Sequence, residues 1–287
     1  MENASSPAQP KWDNVISSER QWFSLNLGEV WRYRDLIWLF FRRDFVSTYK
    51  QTILGPLWFI IQPLASTVIY TIIFGQIAQL PTSGLPPFIF YMSGIILWGL
   101  FSGCLGRCSN VFSSNAGIFS KVYFPRLTVP ISSVMSVLLT FGIQLLVFIG
   151  FLVFFSLRGN DIKPNLGLLM VPIILTNICL LGIGFGCIIS SLTTRYKDIQ
   201  MAMGFGMQLW MYASCIFYAR SSVPEKLQWI MTLNPIVPLV ENFRNAFLGS
   251  GSINISELIV SVFVSLFVFL VGVIVFHQVE KDFVDAI

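Results

Sequence analysis

The chain has 287 residues, 55% of them hydrophobic and only 11% charged, with 18 Lys and Arg against 14 Asp and Glu for a net charge of +4. Soluble domains carry about a quarter charged residues, so this composition excludes a water-soluble fold and points to an all-α integral membrane protein. The small positive balance gives no support to a nucleic-acid partner.

Residues 1–28 mix Ser, Pro, Asn and charges without a continuous apolar core, so a polar cytoplasmic leader is expected and not a cleavable signal peptide. Over residues 29–50, Val30, Tyr33, Ile37, Phe41, Phe45 and Tyr49 recur at helical spacing while Arg32, Asp35, Arg42 and Arg43 crowd the rest. That pattern predicts an amphipathic helix lying in the membrane interface. Residues 51–287 read as one transmembrane domain. Between Lys50 and Arg107 no Asp, Glu, Lys, Arg or His occurs, which accommodates spans near Ile53–Ile77 and Phe88–Leu105 with Pro81, Gly84, Pro86 and Pro87 in the turn.

Further spans are expected at Leu127–Phe155, Leu166–Leu192, Ile199–Ala219 and Leu258–Phe276, making six transmembrane helices in all. Before the last span, the apolar stretch Leu227–Val240 is too short to cross and is broken at Asn234, Pro235 and Pro238. It is expected to dip in from the outside as two short re-entrant helices. Thirteen of the 18 Lys and Arg then fall on the leader's side, leaving Arg158, Lys163, Arg220, Lys226 and Arg244 on the other. By the positive-inside rule both termini are cytoplasmic.

Chemical motifs are sparse. No Lys follows a Gly, so no GxxxxGK[ST] phosphate loop exists and the chain alone is not expected to hydrolyse ATP. His277 is the only histidine and has no second ligand nearby, and Cys104, Cys108, Cys179, Cys187 and Cys215 lack zinc-like spacing. No metal or cofactor is expected in this chain, and the cysteines read as small packing residues. Ionisable side chains are absent from the expected spans, which argues against a proton- or sodium-coupled transporter. Glu225, Lys226, Glu241 and Arg244 in the outer segment are too sparse a set for a membrane enzyme.

Most of the 27 Phe, 8 Trp and 8 Tyr suit lipid-facing and interfacial positions. Phe88, Tyr91, Trp98, Trp210, Tyr212 and Tyr218, with Gln208, stand apart because they lie on the second and fifth spans among Gly, Ser, Gln and Asn. Aromatic rings there can stack on the apolar faces of sugars and line a carbohydrate path. Gln144 and Asn177 are expected to join helices by hydrogen bonds, and Gly182, Gly184 and Gly186 to let helices approach closely. Between Arg107 and Arg126, Val111, Phe112, Ile118 and Phe119 share a helical face before Pro125. This segment is either an anchor held at the interface by Lys121 and Arg126 or a coupling helix that docks into a partner ATPase.

Taken together, RDLIWLFFRRDFVSTYKQTILGPLWFIIQP, IFSKVYFPRLTVPIS, SLTTRYKDI and the pair QLWMYASCIFYA and LNPIVPLVENFRNAFLG resemble the ABC-2 permeases that export O-antigen and related cell-surface polysaccharides. The stretches run from Arg34 to Gly249. The resemblance implies a homodimer in the bacterial inner membrane, seated on two copies of a cytoplasmic ATP-binding subunit that would hold ATP and Mg. It implies a channel lined by the first, second and fifth spans, and an undecaprenyl-linked polysaccharide as substrate. Teichoic acid, capsule, or a small lipid or drug are the cargoes of similar permeases. Phe119, Lys121, Tyr123, Phe124 and Arg126, with Arg42 and Arg43 of the interfacial helix, would contact the ATPase.

Overall fold

The computed structural model describes residues 27–50, 52–119, 124–160, 162–196, 198–250 and 254–285, and among them every regular element is a helix. The interfacial segment forms α1 (Leu27–Arg32) and α2 (Arg34–Tyr49), separated at Tyr33. Val30, Ile37 and Phe40 are buried against the protein, while Trp31, Trp38 and Leu39 are exposed. Apolar residues thus occupy more than the single stripe expected from the sequence. One face grips the bundle, and a second carries two indoles suited to a headgroup boundary.

α3 (Trp58–Tyr70) is extended by a 3-10 turn before it and a π-helical stretch after it into an apolar run from Gly55 to Ile77. Pro63 in its interior has no N–H to give the Phe59 carbonyl four residues back. Gln144 donates from its Nε2 to that carbonyl at 3.2 Å. The gap left by the proline is filled by another helix, as an anhydrous surrounding demands.

α4 (Pro87–Ser109) starts on a proline at its first turn and forms the central post, with Ile89, Phe90, Tyr91, Leu97, Leu100 and Phe101 buried. After it come α5 (Val111–Phe119), α6 (Thr128–Leu157), α7 (Val171–Thr193), α8 (Asp198–Tyr212), α9 (Gln228–Leu233), α10 (Ile236–Leu248) and α11 (Ile255–Asp285). α4 packs between α6 and α7, α11 covers the other side of α7, and α3 lies against α4 and α6. The α7 glycines make this possible: a Cβ on Gly182 would lie 2.6 Å from that of Cys104, and one on Gly184 2.7 Å from the Phe269 backbone. The first faces α4 and the second α11, in accord with the close packing expected of them. Asn177 joins the same pair of helices, accepting from the Ser265 hydroxyl.

Among the described residues, five of the six expected spans form helices long and apolar enough to cross a membrane: Gly55–Ile77, Pro87–Ser109, Thr128–Leu157, Leu166–Thr193 and Ile255–Val279. The segment expected to span from Ile199 to Ala219 is helical only as far as Tyr212. Beyond it the chain turns, with Cys215 at φ 53°, and Ser214, Cys215, Ile216 and Phe217 are buried without helical structure. The Leu227–Val240 segment does break at Asn234 and Pro235 into α9 and α10, but Pro238 sits in the first turn of α10, where proline is tolerated.

Candidate functional site

A groove of about 430 Å³ runs between α3, α4, α6 and α8. Its walls carry Gln62, Ser66 and Tyr70 from α3, Trp98 and Ser102 from α4, Gln144 from α6, and Met207 and Met211 from α8. Among the described residues, not one Asp, Glu, Lys, Arg or His lines it. Amides, hydroxyls and aromatic rings can exchange hydrogen bonds and stacking contacts with a neutral polar solute without a fixed charge to trap it. Tyr70 on its wall lies edge-on to Phe217 at 4.7 Å between ring centroids.

The non-helical turn after α8 needs outside partners for its carbonyls, and Arg244 of α10 supplies them. Its guanidinium donates to the Cys215 and Ile216 carbonyls at 2.6 and 2.7 Å and to Ser93 Oγ at 3.2 Å, and lies 3.7 Å over the Phe90 ring. Gly94 leaves the space: a Cβ there would fall 2.9 Å from the guanidinium. Asn234 fixes the same turn from the other side, donating to the Ala213 carbonyl and Ser214 Oγ while accepting from Trp210 Nε1 at 3.1 Å. Arg244, one of the sparse charges expected of the outer segment, is thus buried in the fold. Arg244 is buried against α4, where its desolvation is offset by hydrogen bonds to carbonyls.

Nearby, Arg220 pairs with Glu257 at the start of α11, Nη2 to Oε1 at 2.9 Å, with Glu241 3.8 Å from the guanidinium. Burial raises the Glu241 carboxyl above its ordinary range, and Arg220 opposes that shift.

Of the residues singled out for the path, Trp98 lines the groove. Phe88 packs instead on Phe151, at 4.9 Å between centroids, and Tyr91 is fully buried beside Phe74 and Phe90. Trp210 lies edge-on to Phe101 and Phe185. Gln208 is exposed on α8, Tyr212 is 44% exposed, and Tyr218 donates its hydroxyl to the Tyr212 carbonyl. Sequence reasoning missed Ser66 and Tyr70, although their spacing of four places them on one helical face. It also missed the run Gly99, Ser102, Gly103 on the α4 side of the groove, where a Cβ on Gly103 would fall 2.8 Å from Val137 of α6.

At the α2–α5 end, Phe119 and Phe124 are buried in a cluster with Phe40, Phe112 and Phe276. Arg126 is buried and stands 5.1 Å over the Phe119 ring. Arg42 is exposed, and Arg43 pairs with Asp44 and donates to Asn115 Oδ1 at 3.3 Å. Lys121 and Tyr123 lie outside the described residues. What α5 leaves exposed is the face of Ser113, Ser114 and Gly117.

Comparison with known proteins bears on this arrangement. Over 263 residues the chain is 29% identical to an O-antigen export system permease protein RfbA of Klebsiella pneumoniae, covering 91% of this chain and 96% of that protein. It is 22% identical over 262 residues to the protein of the same name from Myxococcus xanthus, covering 90% and 98%. It is 25% identical over 234 residues to the polysialic acid transport protein KpsM of Escherichia coli, covering 79% and 88%. The family model of the ABC-2 type transporter matches residues 35–248, three quarters of the chain. The chain belongs to the ABC-2 type transporter family.

Proposed function

We propose that this chain is the membrane-spanning permease subunit of an ATP-driven exporter that carries lipid-linked polysaccharide, such as O-antigen, across the bacterial inner membrane. The observation that carries the reading is the uncharged groove of Gln62, Ser66, Tyr70, Trp98 and Gln144. A long neutral glycan needs stacking surfaces and exchangeable hydrogen bonds along its route, and a trapped ion would only hold it back. The printed functions of the relatives, O-antigen export and polysialic acid transport, support the same substrate class. Capsule polysaccharide is the second reading, favoured by the similarity to the KpsM protein.

Energy comes from a separate ATP-binding subunit that binds ATP and Mg, since the chain has no phosphate loop. Two copies of each subunit form the complex. α3, of whose apolar window only 11% is buried within one chain, and α8, with Met201 and Phe205 exposed, face the second copy across the path. α8 with the non-helical residues 213–219 makes the sixth crossing, and the buried α10 returns as the second re-entrant helix. Both termini and the α2–α5 end lie in the cytoplasm, where the exposed face of α5 meets the ATPase. A strain lacking this chain should lose surface polysaccharide and accumulate lipid-linked glycan inside the inner membrane, with recovery on complementation. Unchanged surface polysaccharide in that strain would overturn the reading.

A further inference from the structure

A second cavity, of about 350 Å³, lies at the α2–α5 end. Its walls include Arg43, Asp44 and Ser47 of α2, Arg107 of α4, Asn115 of α5 and Ser133 of α6. In contrast to the transport groove, it is charged, with two guanidiniums against one carboxylate. Asp44 is already matched, 2.8 Å from Arg43. The Arg107 guanidinium makes no hydrogen bond or ion pair with any other described residue, although the residue is half-buried. A partly desolvated guanidinium surrounded by hydroxyl and amide donors is the chemistry that takes a phosphate oxyanion, which accepts several charge-assisted hydrogen bonds at once.

Position gives the cavity its meaning. Gly99, Ser102 and Gly103 line the transport groove, and Gly106 and Arg107 line the cavity. Their spacing by three and four puts them on one face of α4, so one helix face connects the two spaces. On α6, Gln144 in the groove and Ser133 in the cavity are about three turns apart on a common face. A molecule with an anionic phosphate at one end and a neutral glycan behind it would therefore find matched surroundings in sequence: charge first, then amides and rings.

We propose that the Arg43–Arg107 cavity binds the phosphate or diphosphate group that joins lipid to glycan, holding it beside the mouth of the groove. This rests on the export reading above. The shared ligand chemistry is a phosphate oxyanion, which free diphosphate and ordinary anionic phospholipid also present.

The test uses the full chain assembled with its ATP-binding partner in nanodiscs of zwitterionic lipid, with binding of polyprenyl diphosphate followed by native mass spectrometry. Arg107→Gln should weaken binding about tenfold or more, the loss expected for one charge-assisted contact to phosphate. Arg107→Lys should restore part of it. Arg158→Gln is the control, since Arg158 follows the far end of α6 and lies over Phe154. Inorganic diphosphate should compete with the lipid, and phosphatidylglycerol at equal mole fraction should not. Unchanged binding by a well-recovered Arg107→Gln complex would overturn the proposal, as would full displacement by phosphatidylglycerol, which would assign the cavity to bulk lipid. Glycan export in cells separates the two claims. Loss of export on deleting the chain, with binding indifferent to Arg107→Gln, removes the cavity assignment alone. Arg107-dependent binding of polyprenyl diphosphate in a complex that exports no glycan removes the export reading alone.

Discussion

Arg244 serves two carbonyls that no helical N–H reaches, and the turn beside the groove depends on it. Truncation leaves both buried and unsatisfied, at about 1–3 kcal/mol each. Arg244→Ala should therefore lower the thermal midpoint of the purified chain steeply, and Arg244→Lys, which cannot reach both carbonyls and Ser93 with one ammonium, should recover only part. A midpoint unchanged by Arg244→Ala would show that the turn holds itself. Trp98 and Trp210 separate in the same way. Trp98 faces the groove, so Trp98→Ala should reduce export at normal chain levels, whereas Trp210→Ala removes the bond to Asn234 and should reduce stability first. Equal loss of folded chain in both would contradict that division. Glu241 adds a pH dependence. Its carboxyl is raised by burial, so the folded chain binds more protons than the unfolded one. That contribution is fully present below the unfolded pKa and is lost as pH rises through the folded value. Glu241→Gln should match the parent in melting temperature near about pH 4 and exceed it near neutrality. A lower midpoint at neutral pH would mean that attraction to Arg220 outweighs desolvation.

At the scale of elements, the α2–α5 end divides packing from docking. The family resemblance implies Phe119 and Phe124 as docking residues, but within this chain they fill the cluster with Phe40 and Phe276. Phe119→Ala should cost about 3–5 kcal/mol of stability, measurable in the chain purified without any ATPase. If that chain is as stable as the parent and only assembly suffers, Phe119 docks after all. Sequence could not separate these outcomes, because an apolar helical face looks the same whether its own chain or a partner covers it. The spans were more legible: long charge-free runs located α3, α4, α6, α7 and α11 within a few residues. The fifth expected span is helical only as far as Tyr212, because hydropathy reports the polarity of side chains and not backbone geometry. Cys215, Ile216 and Phe217 are apolar and buried, yet the Cys215 and Ile216 carbonyls bond to Arg244, brought from α10.

For the whole molecule, an apolar bundle with an uncharged groove was readable from composition and from the placement of 18 basic residues. Which aromatics line that groove was not, because Tyr91 and Trp98 sit on one helix seven residues apart, and only packing decides that Phe74 covers the first while the second stays in the groove. Gln144 shows how both kinds of role meet in one side chain: it repairs the Pro63 gap and also lines the groove. The most direct test places a photoreactive amino acid at Ser66 or Trp98, and for comparison at Leu146 on the outward face of α6, which is 71% exposed. The assembled exporter is irradiated during ATP-driven export of labelled lipid-linked glycan. Glycan adducts at Ser66 and Trp98, absent at Leu146 and dependent on ATP, are the expected result. Adducts at Leu146 alone, or none at the groove positions during active export, would contradict passage through this groove.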